Sequence, residues 1–303
     1  MKKLIVLALA VLAVAPFAGM AQDVNTNEAS NMPKTLFPYP VAPDTIKTFE
    51  NRVNYIVPRF WDKYDLSKPI TDLAAFDGAF RDYLGFMRYC HKNVAISSVR
   101  DFIFKAQSNM GNFEKIVKLA DQDLYQVGAE YWSDDLYSEF LKGAVKNKAM
   151  SNESRKYYSK QMERINRTQL GGSMAEVDFL NLDGKTVQLK DIEADMLFVY
   201  ISKDADSDHS FERVRLSTDV NINNMLADGR VKLLCLSPEK YNKTWAKNAL
   251  EYSDKWIVGT CEDLSTDGLY DVRFLPSFIV LDKEKNIIQK NVGLEALKAV
   301  FER

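Results

Sequence analysis

Between residues 204 and 210 the chain reads Asp204-Ala205-Asp206-Ser207-Asp208-His209-Ser210, a turn of carboxylates, hydroxyls and one imidazole. Three chemistries can be tested on it. Asp204, Asp206 and Asp208 fall at the spacing that opens an EF-hand calcium loop. The position that needs glycine is His209, however, and the position of the bidentate glutamate is Arg215. That excludes a calcium loop. A Ser-His-Asp hydrolase would have to use His91 or His209, the two histidines of the chain. His209 is next to Ser210, and sequence neighbours on a helix do not face each other. No Gly-x-Ser-x-Gly elbow is present. A lone His209 without partner ligands makes no metal site. What remains is what these residues do well at a helix start: Asp206 or Ser207 accepts hydrogen bonds from the unpaired amides of the first turn.

The flanking residues supply the elements for such a turn. Met196-Leu197-Phe198-Val199-Tyr200-Ile201 is a short run of aromatic and branched residues, the composition of a buried strand. After the turn, Phe211, Val214, Ile222 and Met225 sit roughly on one helical face, with Ser217-Thr218-Asp219 breaking and recapping the helix. Upstream, Leu182-Asp183-Gly184 between two short apolar segments signals a hairpin. Downstream, Val231–Leu236, Trp256–Val258 and Ser277–Leu281 read as strands, Asn286–Gln289 as a further one, and Asn242–Tyr252 and Leu294–Glu302 as helices. Strands alternating with helices give a mixed sheet covered on both faces.

Residues 44–167 read differently. Ile46, Phe49, Val53, Ile56 and Phe60 form one stripe at helical spacing, which Pro58 should kink or end. Thr71 can cap a second helix. Gly111 is the expected stop between two further helices, Ser133 starts another, and a charged helix from Asn152 to Asn166 leads out. This is an all-α domain, and its aromatic stripes read as core rather than as a cofactor box. The expected organisation is residues 1–21 a signal peptide, 22–43 a proline-rich leading segment, 44–167 a helical domain and 168–303 an α/β domain.

The first 21 residues carry Lys2-Lys3, an apolar run from Leu4 to Phe17 and small residues before Gln22, the three parts of a secretory signal. The run is short for a membrane span of about 20 residues. No cysteine follows it, so there is nothing for a lipoprotein anchor to acylate. The expected location is the periplasm or outside, with no integral membrane segment after cleavage. Removing Lys2 and Lys3 takes the formal charge from -2 to -4, which offers no electrostatic footprint for nucleic acid. Cys90, Cys235 and Cys261 are too few and too scattered for a disulfide scaffold or a dithiol motif. Cys235 and Cys261 read first as small buried side chains and second as a pair.

The strand, polar turn and helix start, together with Phe274-Leu275-Pro276-Ser277-Phe278-Ile279-Val280-Leu281-Asp282-Lys283, resemble the site turn and the cis-proline hairpin of thioredoxin-like proteins. Residues 175–303 as a whole are similar to an envelope module of the TlpA type. The Asp183-Gly184 hairpin, the Ser237-Pro238 loop, Trp245 and Trp256 carry the rest of that likeness. The helical half, through Phe37-Pro38-Tyr39-Pro40 and Phe60-Trp61-Asp62-Lys63-Tyr64-Asp65, resembles a poorly characterised domain that precedes such modules in exported Gram-negative proteins. The resemblance implies an α/β thioredoxin-like fold and, for active members, disulfide exchange by a Cys-x-x-Cys pair. Here Ser207 and Ser210 stand at those two positions. The resemblance also implies a cis Pro276 beside which an extended segment can pair.

Disulfide exchange needs a thiolate nucleophile and a sulfur that can leave again. A helix N-terminus stabilises a cysteine thiolate, but a serine hydroxyl is too weak an acid to profit, and it forms no disulfide. The expectation is therefore an exported, redox-inactive protein with no cofactor that binds a protein or peptide. Its candidate face comprises Asp206, Ser207, Asp208, His209, Ser210, Leu275, Pro276 and Ser277. The alternatives are thiol chemistry at an out-of-motif cysteine such as Cys261, or a purely structural module.

Overall fold

The structure, a computed structural model, describes residues 35–203, 207–229, 231–249 and 252–301, without the side chains of 207–209 and 299–301. The chain divides into two compact units between Tyr158 and Ser159.

The first unit is helical: α1 Phe49–Ile56, α2 Leu73–Met87, α3 Lys92–Ala106, α4 Met110–Leu124, α5 Asp134–Lys146, and α6 Asn152–Arg167, which runs across the division. Its boundaries follow capping chemistry. Helix α1 gives way at Ile56 to a 3-10 turn containing Pro58, because proline has no amide hydrogen for the helical ladder. Helix α5 is capped by Ser133, whose side chain accepts from the Leu136 amide. Two expected boundaries move. Asp72, not Thr71, caps α2, accepting from the Ala75 amide. Gly111 lies inside the first turn of α4, and the break falls earlier, where Asn109 accepts from the Asn112 amide. An amide cap satisfies a helix start, so the glycine need not end anything. The aromatic stripes converge on Trp61, whose ring stacks on Phe102 at 4.7 Å and on Phe76 at 5.1 Å between centroids.

The second unit holds a seven-stranded sheet: β1 Asp178–Asn181, β2 Thr186–Gln188, β3 Met196–Ile201, β4 Val231–Ser237, β5 Ile257–Thr260, β6 Ser277–Asp282 and β7 Ile287–Val292. The order across it is β2-β1-β5-β4-β3-β6-β7, with β3, β4 and β5 parallel and the other pairings antiparallel. Helices α7 Ser207–Thr218, α8 Val220–Ala227, α9 Lys243–Asn248 and α10 Leu294–Phe301 complete it. Asp219 caps α8 through the amides of Asn221 and Ile222, as the Ser-Thr-Asp signal predicts.

Alternation along the strands sorts the core into two layers. Leu197, Val199 and Ile201 meet Ile279 and Leu281 on one face. Phe198 and Tyr200 meet Phe278, Val280, Leu216 and Ile222 on the other. A strand buried on both faces reads as a continuous apolar run, which is why β3 was legible. The stripe expected on the following helices is only half right. Ile222 is buried and Met225 packs partly buried on the same layer, whereas Phe211 and Val214 are 68% and 60% exposed.

Candidate functional site

Parallel strands β3, β4 and β5 all finish at one end of the sheet, and antiparallel β6 begins there. In α/β sheets of this kind the crevice beyond the carboxyl ends of the strands is where ligands bind. Ile201, the last residue of β3, lies opposite Ser277, the first of β6. The Ser202 amide donates to the Leu236 carbonyl at 3.1 Å, and the Cys261 amide to the Ser237 carbonyl at 2.9 Å, so the strand ends stay in register past their last ladder positions. Helix α7 opens at Ser207 a short turn after β3. The backbone of Ser207, Asp208 and His209 is therefore helical. Their side chains, and Asp206 entirely, lie outside the described residues.

The described part of the turn is organised by an arginine that sequence reasoning missed. Arg213 donates to Ser210 Oγ at 2.8 Å and reaches Ser202 Oγ and the Lys203 carbonyl at 3.4 Å each. Its guanidinium sits 4.9 Å from the centroid of the Tyr252 ring. A fork with several donors suits such a multiple grip better than an ammonium would. The signal was available in the spacing, because Ser210 and Arg213 are three apart on a helix and so face each other. Beneath them the Tyr200 hydroxyl is buried, and its pKa is pushed up by that burial and by the charge of Glu212.

Across the sheet end, Leu275 and Pro276 are half-buried and joined by a cis peptide bond. Ser277 is 1% exposed, and its Oγ finds no partner among the described residues. The segment that delivers them is fixed by a second cluster absent from the sequence reading. Arg273 grips both carboxylate oxygens of buried Asp271, and Lys290 Nζ lies 2.8 Å from Asp271 Oδ2. Burial alone would push the Asp271 carboxyl up. The hydrogen bond from Arg273 and the charges of Lys290 and Arg273 outweigh burial and hold it below the usual carboxylate range. Asn291 closes the cluster by accepting from the Arg273 amide and donating to the Asp271 carbonyl. Such partners come from distant strands and leave no local pattern.

No cysteine belongs to this turn. Cys235 belongs to the core layer of Tyr200 and Trp245, Cys261 to the opposite layer, so the sheet itself separates them, and no disulfide joins them. Burial, aided by the charge of Asp263, pushes the Cys261 thiol up to about 11. Burial likewise lifts the half-buried Cys90 thiol to about 11. Among the described residues no group of His, Cys, Asp and Glu could hold a metal ion, and no helix is long and apolar enough to cross a membrane.

Comparison with known proteins agrees with this architecture. Residues 18–168 match the family model described as "Domain of unknown function (DUF5106)". A crystal structure of a thioredoxin-like protein from Bacteroides caccae superposes with a TM-score of 0.79 at 19% identity, covering 89% of this chain and 99% of that one. The thioredoxin domain of a thiol-disulfide oxidoreductase from Bacteroides vulgatus matches 44% of this chain and 95% of its own, at 20% identity and a TM-score of 0.37. No curated protein matches. The chain joins a helical domain that matches the DUF5106 model to a C-terminal domain of thioredoxin-like fold.

Proposed function

We propose that this is an exported thioredoxin-like protein of the TlpA type that carries out no thiol-disulfide exchange and instead binds an extended protein or peptide segment in the envelope. The observation that carries the reading is the turn itself. Ser207 opens α7, Ser210 stands one turn on with its hydroxyl taken by Arg213, and no cysteine occurs anywhere between Cys90 and Cys235. A site without sulfur accepts and donates hydrogen bonds but passes no electrons. The out-of-motif alternative is disfavoured by chemistry: a nucleophilic thiol needs a lowered pKa and exposure, and Cys261 has a raised pKa in a buried position.

Binding is supported by what borders the turn. Pro276 and Leu275 remain partly open to solvent at the end of the sheet, and exposed Phe211 and Val214 add apolar surface on α7. Export is supported by the basic, apolar and small-residue order of residues 1–21. The test is reduction of insulin disulfides by the purified mature chain with dithiothreitol as electron source. Wild type should not exceed the buffer blank, while the Ser207→Cys/Ser210→Cys double variant should gain turnover. Wild-type turnover above the blank would sink the reading.

A further inference from the structure

The helical unit carries an open groove of about 680 Å³ lined by its own residues. It is lined by residues of the 61–67 segment and by Phe104, Lys105, Gln107 and Ser108 at and just past the end of α3. The volume lies within the roughly 300–1,000 Å³ of small-ligand sites. From the aromatic composition and the polar inventory of this groove we infer that it binds a neutral saccharide.

The first reason is the aromatic surface. Phe104 lines it with 77% of its surface exposed, and half-buried Tyr64 lines it too. Flat aromatic faces suit the C–H faces of sugar rings, which are apolar and carry hydroxyls at their edges. Trp61 lies deeper in the lining, 5% exposed, with its ring packed on Phe76 and Phe102.

The second reason is the polar complement. Carboxylates (Asp62, Asp65) and the hydroxyl oxygens of Ser67 and Ser108, whose own hydrogens go to Asp65 Oδ1 and the Lys105 carbonyl, supply acceptors, and the Gln107 amide adds a donor, the mixture a polyhydroxylated ligand requires. The charges are already matched inside the wall. Lys105 bridges Asp62 at 3.4 Å and Asp101 at 2.8 Å, and Lys68 lies 3.3 Å from Asp65. Little net charge remains to recruit a strongly ionic ligand. Backbone amides are committed too, with those of Asp62, Tyr64, Ser67 and Lys68 all donating within the segment. An extended peptide would find no free edge to pair with.

The third reason is preorganisation. The segment that forms the wall is pinned from beneath by buried Asn112, which donates to the Leu66 and Lys68 carbonyls at 2.7 Å each and accepts from the Ile70 amide at 2.8 Å. Asn109 adds a hydrogen bond to the Ser67 carbonyl. A wall held this way loses little freedom when a ligand arrives.

The experiment is titration of the full mature chain with chitotetraose (N-acetylated), cellotetraose, maltotetraose, xylotetraose and mannotetraose, read by calorimetry and by tryptophan fluorescence. At least one should bind saturably with Kd below about 1 mM. Phe104→Ala and Asp65→Asn, both at exposed positions, should each weaken it about tenfold or more, with circular dichroism unchanged. Absence of saturable binding across the panel overturns the inference. So does sugar binding indifferent to Phe104→Ala, or capture of a carboxymethylated unfolded protein that Phe104→Ala abolishes in place of sugar binding. The serine turn plays no part, so Ser207→Cys/Ser210→Cys should leave saccharide affinity untouched.

Discussion

Lys290 on β7 holds its ammonium 2.8 Å from the Asp271 carboxylate, and both side chains are withdrawn from solvent beside Arg273. Two cations thus share one buried anion, and the anion is the member whose loss matters most. Asp271→Asn should cost about 3–5 kcal/mol, because it leaves buried charge without its counterion. Lys290→Met should cost distinctly less, since Arg273 keeps its two-oxygen grip. The Asp271 carboxyl is held below its ordinary range, so its contribution is complete above the unfolded value near 3.9 and fades as pH falls through the lower folded value. Urea titrations of both variants check the order, and equal losses would mean that the cluster depends on the lysine as much as on the carboxylate.

Gly259 on β5 lies opposite Asn181 of β1, and its lack of a side chain is what allows that pairing. A Cβ there would stand 2.4 Å from the Phe179 ring and 2.7 Å from the Leu180 carbonyl oxygen. The ring can rotate, but the carbonyl belongs to the ladder. Gly259→Ala should therefore destabilise the second unit by about 1–3 kcal/mol, the usual cost of overpacking. Amide exchange should quicken in β1 and β2 while β3 amides stay protected. A variant as stable as wild type would show that β1 does not depend on this close approach.

How much of this was legible beforehand depended on distance along the chain. The β1–β2 hairpin, the α1 stop before Pro58 and the caps at Ser133 and Asp219 were readable, because each is set by residues within one turn of each other. So was the two-sided burial of β3. Thr71 and Gly111 misled because a better oxygen, Asp72 or Asn109, sat one or two residues away. The exposure of Phe211 and Val214 was not readable, since periodicity marks which residues share a face but not whether anything covers it. Nor was the Asp271 cluster, whose lysine is 19 residues distant and reaches Thr168 a further 103 residues upstream of the aspartate. Of the candidate site, the strand ends and the helix start at Ser207 were legible, while the Arg213 grip was signalled only by its three-residue offset.

Asp123 in the helical unit has the opposite pH signature to Asp271. Its side chain is nearly inaccessible, with Arg81 3.0 Å from one oxygen and no partner among the described residues for the other. Burial pushes it up to about 6, Asp77 and Glu130 add to that, and Arg81 opposes it. The folded state therefore holds a proton between about pH 4 and 6 that the unfolded chain has given up. Stability should fall as pH rises through that window, by at most about 3 kcal/mol. Asp123→Asn should flatten this part of the profile. Thermal unfolding at closely spaced pH values decides it, and a wild-type profile that rises from pH 4 to 6 would contradict the assignment.

Ser277 ties stability to the proposed binding face. Its hydroxyl is buried next to the end of β3 and finds no partner among the described residues, at a cost of about 1–3 kcal/mol for an unmet polar group. Alanine has nearly the same shape and no such demand. Ser277→Ala should therefore raise stability by about 1 kcal/mol, and if the face binds an extended segment, it should lower that affinity at the same time. Denaturant midpoints test the first effect. Crosslinking of the mature chain to a carboxymethylated unfolded protein tests the second. A less stable alanine variant would mean that the hydroxyl already serves the fold. A more stable variant with undiminished capture would confine the serine to a structural position and move any binding surface towards Phe211 and Val214.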